Sequence, residues 1–234
     1  MRFISGVEVT TQTERQAGRG VAKPTVAASV EQSVVESIDV IADVTDWAIG
    51  AVFNEAVLGE IPIVKTAVSV LKVSDTIQKQ RLMRNCIAFL HACKDSEEEK
   101  RAKLWKRLWS EDKAVDFADT ILLVLMDSEK PFKAGVVGKL MAALARGDIT
   151  YEQCDALIHI VYRASIPALQ ALPVACQRSG GKTRLDDDFS SEGLLLSMGI
   201  AYRFGTALRL SPLGALLYRH GFGGTIADEE DMRT

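Results

Sequence analysis

One property constrains this chain more than any other. From Val26 to about Cys176 its apolar residues recur at three-, four- and seven-residue steps. That period matches the 3.6 residues of a helical turn, so each stretch carries an apolar stripe that must be buried against another helix. Val30, Val34, Ile38, Ile41 and Ala48 make the first stripe. A second segment opens near Glu60-Ile61-Pro62, where proline suits a first helical turn because its missing N–H has no partner there anyway. Val64, Val68, Leu71, Leu82, Cys86, Phe89 and Leu90 carry its inner face to about Cys93, with Lys79, Arg81 and Arg84 as a basic stretch within it.

The later helices are punctuated by end signals. Ser96 with Glu99, and Thr150 with Gln153, have the spacing of capping boxes, and Ile149 with Cys154 that of a hydrophobic staple. Leu104, Trp105 and Leu108 form one inward face, and Phe117, Ile121, Leu122 and Leu125 the next. Pro131 opens a segment with Val136, Val137, Leu140, Met141 and Leu144 inward, which Gly147 stops. Leu157, Ile160 and Val161 follow, then a shorter helix after Pro167.

The expected fold class is therefore mainly α: a helical bundle over residues 26–176, followed by a small α/β-hairpin module. Residues 1–25 form a flexible or strand-forming arm, residues 177–188 a polar linker, and residues 223–234 a polar tail. The module occupies residues 189–222, with packing on residues 150–176 left open. In it, Ser190 or Ser191 caps a helix through Leu194, Leu195, Leu196 and Ile200. Tyr202 and Phe204 lead into Gly205-Thr206, and Leu208 and Leu210 lead out. Glycine first in a two-residue loop signals a type II′ hairpin turn. Ser211-Pro212 then starts a helix that Gly221 ends.

Helix, hairpin, helix is winged-helix order, and "LRLSPLGALL" resembles the ending of many bacterial winged-helix proteins over about residues 165–221. Reading DNA needs polar and basic side chains at base edges and phosphates. The candidate helix SSEGLLLSMGIAY offers Glu192 and no Lys or Arg, and Asp186, Asp187 and Asp188 precede it. The candidate nucleic-acid contacts are Arg178, Lys182, Arg184, Arg203 and Arg209. With 28 basic against 31 acidic residues, the net charge of −3 gives no general attraction to phosphates.

Other chemistry is sparse. GGKT at Gly180–Thr183 invites comparison with a phosphate-binding loop, but Cys176 stands where that motif needs glycine, after a helix-like segment. Glu152, Asp155 and His159 share a helix face without a second ligand pair, while His91 and His220 stand alone. Asp43, Asp46, Glu55 and Glu60 cluster at a helix junction, as helix-start acids do. No catalytic constellation, cofactor motif or small-molecule site emerges, so the expectation is a non-enzymatic protein without metal or cofactor. Cys86, Cys93, Cys154 and Cys176 lie in apolar helical contexts and read as buried free thiols of a reducing cytoplasm. The N-terminus lacks a signal-peptide pattern, and no apolar run reaches the roughly 18 residues of a spanning helix. IPIVKTAVSVLKV is the exception to note: Ile61, Ile63, Val64, Val68 and Leu71 are candidate membrane or partner contacts.

The stretches "VLGEIPIVKTAVSVLKVSDTIQKQRLMRNCIAFL", "LARGDITYEQCDALIHIV" and "LRLSPLGALLYRHG" together resemble uncharacterised bacterial proteins grouped with the abortive-infection (Abi-alpha-like) phage-defence type. The resemblance spans roughly residues 45–221 and carries no catalytic residue onto this chain. It implies a bacterial, cytoplasmic accessory protein tied to phage defence or stress response. Three functions follow in order: an interaction protein that assembles with itself or a protein partner, a winged-helix DNA-binding regulator, and a membrane-perturbing effector.

Overall fold

The computed structural model describes residues 26–36, 61–71, 76–185 and 190–227. Ten α-helices and one hairpin occupy them. The helices are α1 (Val26–Glu36), α2 (Pro62–Leu71), α3 (Thr76–Cys93), α4 (Glu98–Ser110), α5 (Ala114–Asp127), α6 (Pro131–Arg146), α7 (Tyr151–Arg163) and α8 (Ile166–Arg178). After α8 come α9 (Glu192–Ser197), β1 (Ala201–Phe204), β2 (Ala207–Leu210) and α10 (Pro212–Leu216), which widens into a π turn over Leu217–Gly221. The fold is mainly helical with one small antiparallel sheet, as the periodicity predicts. The N-terminal arm, Ile38, Ile41, Ala48, the acids Asp43, Asp46, Glu55 and Glu60, and the triple aspartate lie outside the described residues.

The core centres on α3 and α6, which pack along their lengths. Gly138 of α6 makes this approach possible, since a Cβ there would sit 2.3 Å from the Phe89 carbonyl oxygen. Asn85 of α3 is buried and donates through Nδ2 to the carbonyls of Leu125 and Ser128, both at 2.8 Å. It thereby satisfies carbonyls at the end of α5 that have no intrahelical donor.

Hydroxyls join α1 to α2. Ser33 Oγ accepts from the Ile63 N–H at 2.8 Å and donates to the Ser29 carbonyl at 2.8 Å. Thr66 Oγ1 donates to Ser29 Oγ at 2.6 Å. Ser33 thus caps the first turn of a neighbouring helix, whose early N–H groups would otherwise be unpaired in the core. Arg101, buried in α4, donates through Nε to the Val34 carbonyl at 2.8 Å and through Nη1 to the Ser96 carbonyl. A cation at the C-terminal end of α1 also complements its dipole.

The end signals at Ser96 and Gly221 differ from expectation. Ser96 does not cap α4: its hydroxyl donates to the Cys93 carbonyl at 3.0 Å, and Glu97 begins α4 without a side-chain cap. The hydroxyl closes the end of α3 instead. Gly221 does not stop the last helix; it lies in the π turn against Val136, and the left-handed residue is Gly223 at φ 71°. By contrast, Thr150 and Gln153 form the reciprocal capping box, and Gly147 ends α6 at φ 83°.

Candidate functional site

The hairpin is built from both sides of the chain. After α8, Gly180 and Gly181 adopt φ of 65° and 75°, which reverses the backbone where side-chain-bearing residues would be strained. A Cβ on Gly181 would also lie 2.6 Å from the Thr225 carbonyl oxygen. The Ala227 N–H donates to the Gly181 carbonyl at 2.8 Å, so the tail after the π turn clamps this loop.

The stretch read as a linker then joins the sheet. The Leu210 N–H donates to the Thr183 carbonyl at 2.8 Å, and the Leu185 N–H to the Leu208 carbonyl at 2.9 Å. Arg184 stands opposite Arg209 in this antiparallel bridge. Residues 183–185 therefore lie beside β2 as a third rung, with β1 on its other side. Phe204 pairs with Ala207 across Gly205-Thr206, and φ of 61° at Gly205 fits the expected type II′ turn.

Alternation sorts these side chains onto two faces. Thr183, Leu185, Ala201, Leu208 and Leu210 are buried toward the helices. Tyr202, Phe204, Arg184 and Arg209 occupy the outer face, where Tyr202 is 45% and Phe204 67% exposed. The Arg209 guanidinium carbon lies 5.5 Å from the Phe204 ring centroid, a cation–π arrangement. Arg209 Nε is buried without a hydrogen-bond acceptor.

Arg203 goes elsewhere. It donates through Nε to Glu192 Oε1 at 2.6 Å and through Nη2 to Oε2, and its Nη1 reaches the Thr206 carbonyl at 2.5 Å. This paired-fork contact ties the hairpin tip to α9. Of the five cationic candidates, the structure brings Arg184 and Arg209 onto one face, with exposed Lys182 just before the third rung. Arg178 is exposed in the last turn of α8. Tyr202 and Phe204 join the site without any motif to mark them, although their two-residue spacing beside a hairpin turn places them on one face.

Residues after the hairpin hold it in place. Ser211 Oγ accepts from the Gly214 N–H at 3.1 Å, which makes Ser211 the expected N-cap of α10. The Ser211 N–H donates to the Ile200 carbonyl at 2.9 Å, and its hydroxyl to the Gly199 carbonyl at 3.2 Å. Beyond α10, Phe222 meets Phe132 of α6 with ring centroids 6.0 Å apart. The helix before β1 is shorter than predicted: α9 ends at Ser197, Ser191 makes no side-chain cap, and Gly199 at φ 70° turns the chain into β1.

The remaining candidates are placed as follows. Ile61, Ile63 and Val64 are buried in the bundle core, and Val68 packs half-buried against it, so the apolar side of α2 faces protein. The side chain of Leu71 lies outside the described residues. No single helix among the described residues is long and apolar enough to cross a membrane. GGKT follows helix α8, in which Cys176 is buried, so the strand that a phosphate-binding loop requires is missing there. His159 Nε2 lies 3.8 Å from Asp155 Oδ1, both partly exposed, and no group of three metal-ligating side chains occurs among the described residues.

All four cysteines are free and buried, and burial pushes the Cys86 and Cys176 thiols up to about 12. Burial likewise raises Cys93 and Cys154. An open hollow of 530 Å³ lies beside the start of α7 and is lined by Arg107, Lys113, Thr150 and Tyr151, among others. Its Lys113 Nζ is 2.9 Å from Glu111, 3.5 Å from Glu152 and 4.5 Å from the Tyr151 ring centroid. That cation is thus shared among acidic and aromatic neighbours of the same chain. The outer hairpin face remains the stronger candidate, because its aromatic side chains are exposed while their backbone is braced. No protein family, curated protein or solved structure matches this chain.

Proposed function

We propose that this chain is a non-enzymatic binding protein: a helical scaffold that presents the outer hairpin face for recognition and acts through partner binding or self-assembly. The observation that carries this reading is the pairing of Tyr202 and Phe204, exposed side by side, with a hairpin fixed from three directions. Exposed aromatics next to arginine have the composition of residues that dominate recognition energetics. Holding them on a braced strand lowers the entropy lost on binding. The abortive-infection resemblance supplies the proposed setting, a bacterial cytoplasmic accessory protein of phage defence or stress response.

A photo-crosslinking residue at position 204, compared with one at the exposed Leu123 of α5, tests this reading in cells. Adducts at 204 and not at 123 support it. Absence of any adduct at 204 in a folded variant refutes it.

A winged-helix regulator of duplex DNA is the second reading. Its support is the order of α8, third rung, α9, hairpin and capped α10. Against it stands α9, six residues long, with Glu192 held by Arg203 and no basic side chain to enter a groove. Salt-dependent binding to duplex DNA that is lost in an Arg184→Ala/Arg209→Ala double variant would favour it over the first.

A further inference from the structure

We infer that the outer hairpin face is a stacking platform for single-stranded nucleic acid, in which Tyr202 and Phe204 each take a base and Arg209 and Lys182 meet the phosphates. This inference rests on the reading of that face as a recognition surface and names its partner.

Spacing supplies the first argument. Side chains two apart on a strand stand about 6.6 Å from each other. That is roughly twice the ~3.4 Å rise between bases in one duplex strand. The two rings therefore suit splayed, unstacked bases and do not fit a stacked duplex. Single strands are bound in this manner, by aromatic faces beside a basic track.

Ring access supplies the second. Arg209 covers one side of Phe204 at 5.5 Å, and 67% exposure leaves much of the ring open to a base. Ring and guanidinium are both planar, and each is a stacking surface for a base.

Charge supplies the third. Arg184 and Arg209 stand opposite each other on this face, and Lys182 is exposed next to it. Among the described residues, the nearby acid Glu192 is turned to Arg203 and away from this face.

Fluorescence anisotropy of the full chain with a labelled oligothymidine of about 16 nucleotides, the upper site size of such platforms, tests the inference. The expected result is binding to the single strand in preference to a duplex of the same length. Phe204→Ala and Tyr202→Ala should each weaken it roughly 5- to 100-fold, the usual cost of losing one stacked base, while Phe204→Trp retains it. Two cations predict a log–log salt slope of about −1.4 or shallower for a single strand, reduced further in Arg209→Ala. Matching far-ultraviolet circular dichroism and melting curves establish that the variants are folded.

Equal binding to duplex, or binding indifferent to both aromatic substitutions, overturns the inference. Adducts at position 204 that contain only protein, with no oligonucleotide binding, overturn it while leaving the recognition reading intact. No adduct and no oligonucleotide binding defeats both.

Discussion

Replacing Gly214 by alanine sets two physical effects against each other. Gly214 lies in the first turn of α10, where alanine is intrinsically favoured over glycine by up to about 1 kcal/mol in a helix interior. A Cβ there, however, would stand 2.0 Å from the Ile200 carbonyl oxygen and 3.2 Å from the Ile200 Cβ. Ordinary contact requires well over 3 Å, so α10 must withdraw from the end of the sheet by more than an ångström. That movement strains the Ser211 N–H to Ile200 bond at 2.9 Å and the Ser211 hydroxyl to Gly199 bond at 3.2 Å. Each hydrogen bond contributes about 1 kcal/mol, and overpacking costs about 1–3 kcal/mol. The net expectation is a loss of about 2–4 kcal/mol after the helix gain is subtracted. For a chain of this size it lowers Tm by roughly 4–16 °C. Paired thermal and urea melts of the wild type and Gly214→Ala decide the matter. A variant with unchanged or raised Tm would show that helix propensity outweighs the contact and that the hairpin is not seated as described.

Other parts of the fold make comparably specific predictions. Ser33→Ala leaves the buried Ile63 N–H without its acceptor and should cost about 1–2 kcal/mol in urea melts, more than the roughly 0.5 kcal/mol of an ordinary surface change. Burial raises every cysteine thiol, so a thiol-specific chromophore at neutral pH should react with native protein far more slowly than with protein in denaturant, which exposes all four. Burial also lowers the His220 imidazole below its ordinary value, with Arg219 and Arg146 adding to the effect and Asp148 opposing it. The unfolded chain then takes up the proton first, so stability should fall as pH drops from about 6.5, and His220→Gln should flatten that part of the curve. Gly138→Ala should destabilise despite its helix propensity, because its Cβ would meet the Phe89 carbonyl oxygen at 2.3 Å; a raised Tm would contradict the close α3–α6 approach.

The helices were legible because each buried stripe repeats with the backbone. Val30, Val34, Leu104, Trp105, Phe117, Leu140 and Leu157 are all core residues on the faces their spacing assigns. The hairpin was legible because Gly205-Thr206 and Ser211-Pro212 specify local geometry that no distant contact has to supply. What the sequence hid was a choice between partners, some local and some distant. Ser96 has a capping-box neighbour at the right spacing, yet its hydroxyl serves the preceding helix, since both ends of the short turn compete for it. The polar stretch after α8 has the composition of a linker, but backbone pairing to β2 ignores side-chain polarity. Ile61, Ile63 and Val64 show the same ambiguity from the opposite direction: a buried bundle face and a membrane-facing one have the same composition, and only the packing partner distinguishes them.

The distant contacts around the hairpin determine how the candidate face would work. A two-stranded hairpin alone is marginal in water, and its exposed aromatics would fold back onto any apolar surface they reached. Here β2 is paired on both sides, the tip is fastened to α9 through Arg203 and Glu192, and Ser211 fixes the far end to Gly199 and Ile200. The inward side chains belong to the same core as the helices, so the face is a surface of the bundle and not of an appended module. Separating bracing from binding is therefore feasible by substitution. Arg203→Ala should loosen the tip and weaken binding while leaving every outward side chain in place, so restoring affinity should require a second constraint on the hairpin and not more charge. If Arg203→Ala instead lowers the salt slope as much as Arg209→Ala does, Arg203 meets phosphate directly and the division between the two faces is incorrect.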